Sequence, residues 1–254
     1  MLTFHRLGPD TGTPLLIVHG LFGSARNWGV IAKRISATRP VVTVDMRNHG
    51  ESPRFDTNSY PEMAADLAEV IMAQGGKADV VGHSMGGKAA MVLALEHAEM
   101  INRLVVADIA PTAYGHTQMP LIHAMQRLDL SDVKKRSDAD ALLAAEVGDA
   151  GIRAFLLQSL DLKTDPPGWR LNLDVLGKEM DLILGWPRSA TGQFDGPTLF
   201  LSGGASDYVL PEHRADIKSL FPSARFAKIP GAGHWLHAEK PREFEAAVLA
   251  FLNA

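Results

Sequence analysis

Gly82-His83-Ser84-Met85-Gly86 sets a serine between two glycines, with one residue intervening on each side. It follows the apolar run that ends at Val81 and precedes a helical pattern. A turn this sharp from strand to helix needs small flanking residues, because side chains there would collide with neighbouring backbone. The serine is then held at the carboxyl edge of a sheet, at the positive end of the following helix. Its hydroxyl is a poor nucleophile until a neighbouring base takes its proton. The chemistry to expect at Ser84 is acyl transfer.

Ten histidines compete for the part of base. His234 lies in Gly231-Ala232-Gly233-His234-Trp235, after the final apolar run and before the last helical pattern. Where serine, acid and histidine follow one another along such a chain, the base lies there. A glycine-rich loop can also bring its ring to Ser84. His237, in the same segment, is the main rival. His19 and His49 fall in loops after strands and could line the site. His83 abuts the nucleophile with its ring turned away from it, and is expected with Phe22 and Trp235 to line the substrate pocket.

The loop His19-Gly20-Leu21-Phe22-Gly23 follows the run ending at Val18. It can aim the Leu21 N–H at a developing oxyanion, beside the N–H of Met85. Two aspartates compete for the acid. Asp108 stands at the end of one apolar run, and Asp207 stands just after another. Either could reach His234 across the top of a sheet, but only one can orient its Nδ1–H.

These residues need a frame. Pro14–Val18, Val41–Val44, Ala78–Val81, Leu104–Ala107 and Thr198–Leu201 are short, near-continuous apolar runs. Such runs suit parallel strands covered on both faces. Ala224–Ile229 adds a final strand, and Met1–Arg6 opens on one. Ser59-Tyr60-Pro61-Glu62 is a capping-box pattern leading into Met63, Leu67, Val70 and Ile71, spaced for one helical face and stopped by Gly75-Gly76. Ala89–His97 and Pro241–Leu252 read as helices too. Strand alternating with helix predicts an α/β fold with right-handed crossovers.

From about Thr112 to Asp195 no strong strand appears. Helical patterns at Pro120–Leu128, Asp138–Val147, Ile152–Leu160 and Leu171–Leu184 fill it. One crossover needs one helix, so this segment reads as a helical cap inserted after the strand ending near Asp108. The predicted organisation is a core of 1–111 and 195–254 with a cap of 112–194. Met119, Leu121, Met125, Leu156, Leu160 and Leu182 are the cap residues expected to face inward.

The chain has 254 residues, 46% of them apolar, and a formal charge of -4. It can bury a sizeable core. The longest cationic run, Lys134-Lys135-Arg136, is a solvated helix face, so no nucleic-acid partner is expected. There is no cysteine, which excludes disulfides, thiolate catalysis and Cys-based metal sites and fits the cytosol. No apolar stretch is long enough to cross a bilayer, so no membrane partner is expected.

Three segments together carry a resemblance: Val44-Asp45-Met46-Arg47-Asn48-His49-Gly50, Gly82 to Lys88, and Gly231 to Pro241. From about Pro14 to Leu252 the chain resembles small bacterial serine esterases of the α/β-hydrolase superfamily, related to mitochondrial abhydrolases. The resemblance implies an eight-stranded α/β-hydrolase fold with a helical cap. It also implies carboxylic-ester hydrolysis, with acyl-CoA thioesters among the substrates to test. It favours Asp108 as the acid, although this chain carries Asp at both positions. Asp45 and Arg47 are expected to hold their loop together. No metal or organic cofactor is implied. A lactone, a carbon–carbon bond or perhydrolysis could use the same groups, and a slow-turnover ligand receptor could use the same pocket.

Overall fold

A computed structural model describes residues 1–254. Seven strands form the main sheet: β1 (Phe4–Leu7), β2 (Leu15–Val18), β3 (Val41–Val44), β4 (Ala78–His83), β5 (Ile101–Ala107), β8 (Thr198–Gly203) and β9 (Ala224–Ile229). Between β5 and β8 lie two short strands, β6 (Leu160–Asp161) and β7 (Gly168–Trp169). The main sheet runs β1-β3-β2-β4-β5-β8-β9, antiparallel only where β1 meets β3. This is an α/β-hydrolase sheet with one strand fewer than expected. His5, Arg6 and Leu7 of β1 are exposed, and this polar edge carries no further strand.

Alternate residues of the strands bury themselves on opposite faces. Leu16, Val18, Val80, Leu104, Val106 and Phe200 join one hydrophobic cluster. Leu15, Ile17, Val81, Val105, Leu199 and Leu201 join the other. Both faces are covered, which is why these strands read as near-continuous apolar runs. On one side lie α2 (Tyr60–Ala73) and α3 (Met85–Glu96), and on the other α1 (Gly29–Ile35) and α11 (Pro241–Leu252). The capping box at Ser59 and Glu62 is formed, and α2 stops before Gly75 and Gly76, both at positive φ. The helix after the nucleophile begins at Met85, four residues earlier than its apolar pattern suggested.

Between β5 and β8, in the segment expected to form the cap, lie α4 (Met119–Arg127), α5 (Arg136–Leu143), α6 (Ala150–Leu156), α7 (Leu173–Lys178) and α8 (Met180–Leu184). The helix expected over Leu171–Leu184 is in fact two, broken at Glu179 just after Gly177, a poor helix former. The strands β6 and β7 pair as a small hairpin where no strand was expected, because two residues each are too few to show a period. After β8 come α9 (Arg214–Leu220), β9, then α10 (Leu236–Glu239) ahead of α11. No helix is long and apolar enough to cross a membrane.

Candidate active site

The strand β4 ends at His83 and α3 begins at Met85, so Ser84 alone makes the turn, at φ 52° and ψ -120°. That region is strained for a residue with a Cβ. The clearance around it is minimal: a Cβ on Gly82 would lie 2.4 Å from the Gly86 carbonyl oxygen. One on Gly86 would lie 2.4 Å from the His19 carbonyl oxygen. This is the steric reason for both glycines. The Ser84 N–H donates to the Ala107 carbonyl of the adjacent strand at 3.1 Å, which holds the turn from below.

His234 reaches Ser84 from the loop after β9, with Nε2 3.1 Å from Ser84 Oγ. Its Nδ1 lies 2.8 Å from Asp108 Oδ2. Asp108 is fully buried just past β5, with φ 52°. Its Oδ1 accepts from the Gly203 N–H at 2.9 Å, and its Oδ2 also accepts from the Ser206 hydroxyl. Asp207, the alternative acid, is exposed and makes no bond to His234. The turn after β8 offers the neighbouring Ser206 inward instead. Ser206 left no sequence signal, because its value depends on which aspartate it meets.

His237, the rival base, is buried and stacked on Trp28, ring centroids 4.2 Å apart and nearly parallel. Burial, with His234 nearby, pushes its pKa down to about 3, so it stays neutral. His83 donates from Nε2 to the carbonyl oxygen of His234 at 2.8 Å. The residue beside the nucleophile therefore fixes the backbone of the opposing loop while also lining the cavity. Tyr208 stacks on the other side of this picture, its ring 3.8 Å from that of His234 and 18° from parallel.

The loop at Gly20–Gly23 is tied down by two more neutral imidazoles. His19 Nε2 accepts from the Met46 N–H at 2.9 Å, which leaves Nδ1–H to donate to the Gly20 carbonyl at 2.8 Å. His49 Nε2 accepts from the Phe22 N–H at 3.2 Å, and its Nδ1–H donates to the Arg47 carbonyl at 2.8 Å. Burial lowers the His19 pKa to about 4, and burial together with His19 lowers that of His49 to about 3. The N–H groups of Leu21 and Met85 have no acceptor within the protein. Asp45 accepts from Ala25 N and Glu51 N, at 2.7 and 2.8 Å, and Arg47 pairs with buried Asp66. These two residues brace the loops and do not touch Ser84.

A cavity of about 290 Å³ opens over Ser84. Phe22, His83 and Trp235 line it, as do Leu21 and Met85. Of the six cap residues expected to face inward, only Leu121 lines it. Met125, Leu156 and Leu160 are buried in the core instead, Met119 packs against it, and Leu182 is 51% exposed. Ile152, Phe155, Ile183 and Leu184 supply the apolar wall. One cation lies on the cavity wall without sequence warning. Lys88 is buried, donates to the carbonyls of Leu184 and Gly185 at 2.8 and 2.6 Å, and sits 4.8 Å from the Tyr114 ring centroid. Burial lowers its pKa to about 7. It fastens the end of α8 to the core.

Residues 15–247 match the model of the alpha/beta hydrolase family. The mouse (Mus musculus) sn-1-specific diacylglycerol lipase ABHD11 is 42% identical, over 99% of this chain and 85% of its own length. Esterase YbfF of Escherichia coli is 41% identical, over 95% of this chain and 93% of its own. A solved marine microorganism esterase superposes with a TM-score of 0.94 at 38% identity, covering 98% of each chain. The chain belongs to the alpha/beta hydrolase family. It is, like these relatives, an ester hydrolase.

Proposed function

We propose that the protein cleaves carboxylic esters through a Ser84–His234–Asp108 triad and an acyl-enzyme intermediate. The observation that carries this reading is the continuous hydrogen-bonded line from Ser84 Oγ through both nitrogens of His234 to a buried carboxylate. In the first step His234 takes the Ser84 proton as Oγ attacks the ester carbonyl. The Leu21 and Met85 N–H groups receive the tetrahedral oxyanion, and Asp108 stabilises the imidazolium. The protonated His234 then gives its proton to the departing alcohol. In the second step His234 activates water, which releases the acid and restores Ser84.

The mostly apolar cavity supports an ester with a hydrocarbon acyl chain. Its size, about 290 Å³, lies at the lower end of ordinary ligand pockets. An acylglycerol, the substrate class in the mouse relative's name, and an acyl-CoA thioester both present such a chain beside a polar leaving group. A cytosolic setting, read from the cysteine-free sequence, belongs to the same proposal.

The test is Ser84→Ala, assayed on aryl esters and acyl-CoAs of graded chain length. The expected loss in kcat is on the order of 10⁴-fold or more, with the circular dichroism unchanged. Retention of more than a few per cent of the activity would overturn the assignment of Ser84.

A further inference from the structure

Phe22 sits in the loop proposed to receive the oxyanion, at φ 64°, a strained value for a residue with a side chain. Its N–H is taken by His49. Its carbonyl accepts the hydroxyl of Ser159 at 2.9 Å. Ser159 belongs to the cap, in the single turn Leu157–Ser159 that follows α6. It is buried, and its own carbonyl accepts from Arg170 N at 2.8 Å. The Arg136 guanidinium holds the flanking carbonyls of Leu157 and Leu160, at 3.1 and 3.3 Å. The Ser159 hydroxyl is therefore presented from a fixed turn.

A trans peptide points its C=O and N–H in opposite directions. The Phe22–Gly23 peptide accepts from Ser159 at one end and, at the other, donates the Gly23 N–H to the Gly20 carbonyl at 3.0 Å. The Gly20–Leu21 peptide accepts that bond and the one from His19. Its opposite end is the Leu21 N–H, which no protein group occupies. Two peptide units thus stand in series between the Ser159 hydroxyl and the place of the oxyanion. Each hydrogen bond in such a chain polarises the next.

We infer that Ser159 is a positioning residue for the oxyanion hole: its hydroxyl, acting through the Phe22–Gly23 and Gly20–Leu21 peptides, aims and polarises the Leu21 N–H. The inference rests on the reading of Leu21 as an oxyanion donor. It makes the cap a working part of the site as well as a wall of the pocket. A cap out of place withdraws Ser159, and the loop loses the bond that holds Phe22 from the carbonyl side.

Ser159→Ala removes the hydroxyl with little change of volume. The control is Gln158→Ala, which breaks the neighbouring cap-to-core bond from Asn27, 2.6 Å, and leaves the relay untouched. Both are compared with wild type on an aryl ester, and for affinity toward an aryl boronic acid and the product phenol. Deleting a whole oxyanion donor costs roughly 10²–10³ in kcat, so misaiming one should cost about tenfold. Ser159→Ala is expected to lower kcat about tenfold, with KM within about twofold. The boronate should weaken by the same factor while the product phenol, which places no oxyanion against the Leu21 N–H, is unaffected. An unchanged kcat, a loss carried by KM, or an equal loss in Gln158→Ala would overturn the inference. The underlying reading is checked separately: if a fluorophosphonate fails to label Ser84 in the wild type, that reading has failed, whatever Ser159 does.

Discussion

Ser84 and Asp108 share the same unusual backbone value, φ 52°, one residue past the ends of neighbouring strands β4 and β5. Such a residue costs about 1–3 kcal/mol and persists only where its surroundings over-determine it. Here the Ser84 N–H is held by Ala107 and the Asp108 N–H by Leu201, each across to the next strand. The strain lifts both side chains toward His234. Asp108→Asn should cut kcat by up to ~10⁴-fold, because an amide favours the wrong tautomer of His234. Asp207→Asn should stay within about twofold of wild type, since that carboxylate is exposed and apart from the ring. Steady-state kinetics on one aryl ester separates the two, and an inactive Asp207→Asn beside an active Asp108→Asn would reverse the assignment.

The buried imidazoles at this scale also set an acid limit. Burial holds His19 near 4, His49 and His237 near 3, and His83 well below the ordinary value. Each is neutral when folded, but unfolded histidine gains a proton near pH ~6.5. Above that pH neither state binds the proton, so these groups add no pH dependence. Below it only the unfolded chain does, so stability is lost as pH falls from about 6.5 toward the folded values. Each such histidine costs about 2 kcal/mol at pH 5. The midpoint of thermal unfolding should fall steeply between pH 7 and 5, and less steeply in His237→Phe. A midpoint unchanged across that interval would contradict the burial of these rings as neutral species.

Among the elements, the segment between β5 and β8 supplies Leu121, Ile152, Phe155, Ile183 and Leu184 to the cavity wall. Ile183 and Leu184 form a wall of the cavity at the end of α8, and that end is fastened three times: Tyr60 donates to the Ile183 carbonyl, while Lys88 holds those of Leu184 and Gly185. Shortening Ile183 or Leu121 to Ala should change the ratio of long-chain to short-chain kcat/KM by about tenfold, given about 1–3 kcal/mol per methylene-scale change in such a pocket. Leu182→Ala, on the solvent side, should leave it unchanged. A ratio indifferent to Ile183 and Leu121 would move selectivity to the core side of the cavity. The expectation from sequence had Leu182 facing inward. Leu182 lies outside the buried face Leu173, Leu176, Met180 and Ile183, whose helical spacing runs straight through the break at Glu179.

For the whole molecule, the sheet was legible because its central strands are covered on both faces, so apolar residues fill most of their positions and polar ones such as Thr43 and Asp79 interrupt the runs only singly. The three catalytic candidates were legible because each follows a strand that ends on one edge, which brings together residues as distant in sequence as Ser84, Asp108 and His234. What the sequence hid were groups whose worth depends on a partner from elsewhere: Ser206 on Asp108, Tyr208 on His234, Lys88 on α8 and Ser159 on Phe22. None has a periodicity or spacing of its own: Ser206 and Tyr208 acquire meaning once the loops after β5, β8 and β9 meet, and Lys88 and Ser159 once the segment between β5 and β8 is folded over the sheet. The missing eighth strand has a similar origin, since a solvated edge leaves no apolar run whose absence could be noticed.

Hydrolysis through the proposed triad requires that Ser84 be the group that acquires the acyl chain. The direct measurement is reaction of the wild type with a fluorophosphonate, followed by mass spectrometry of the intact chain and of its peptides. A single adduct is expected, mapped to Ser84, that abolishes ester hydrolysis in step with its formation and is absent from Ser84→Ala. An adduct on another residue, or full activity in the fully labelled protein, would contradict it.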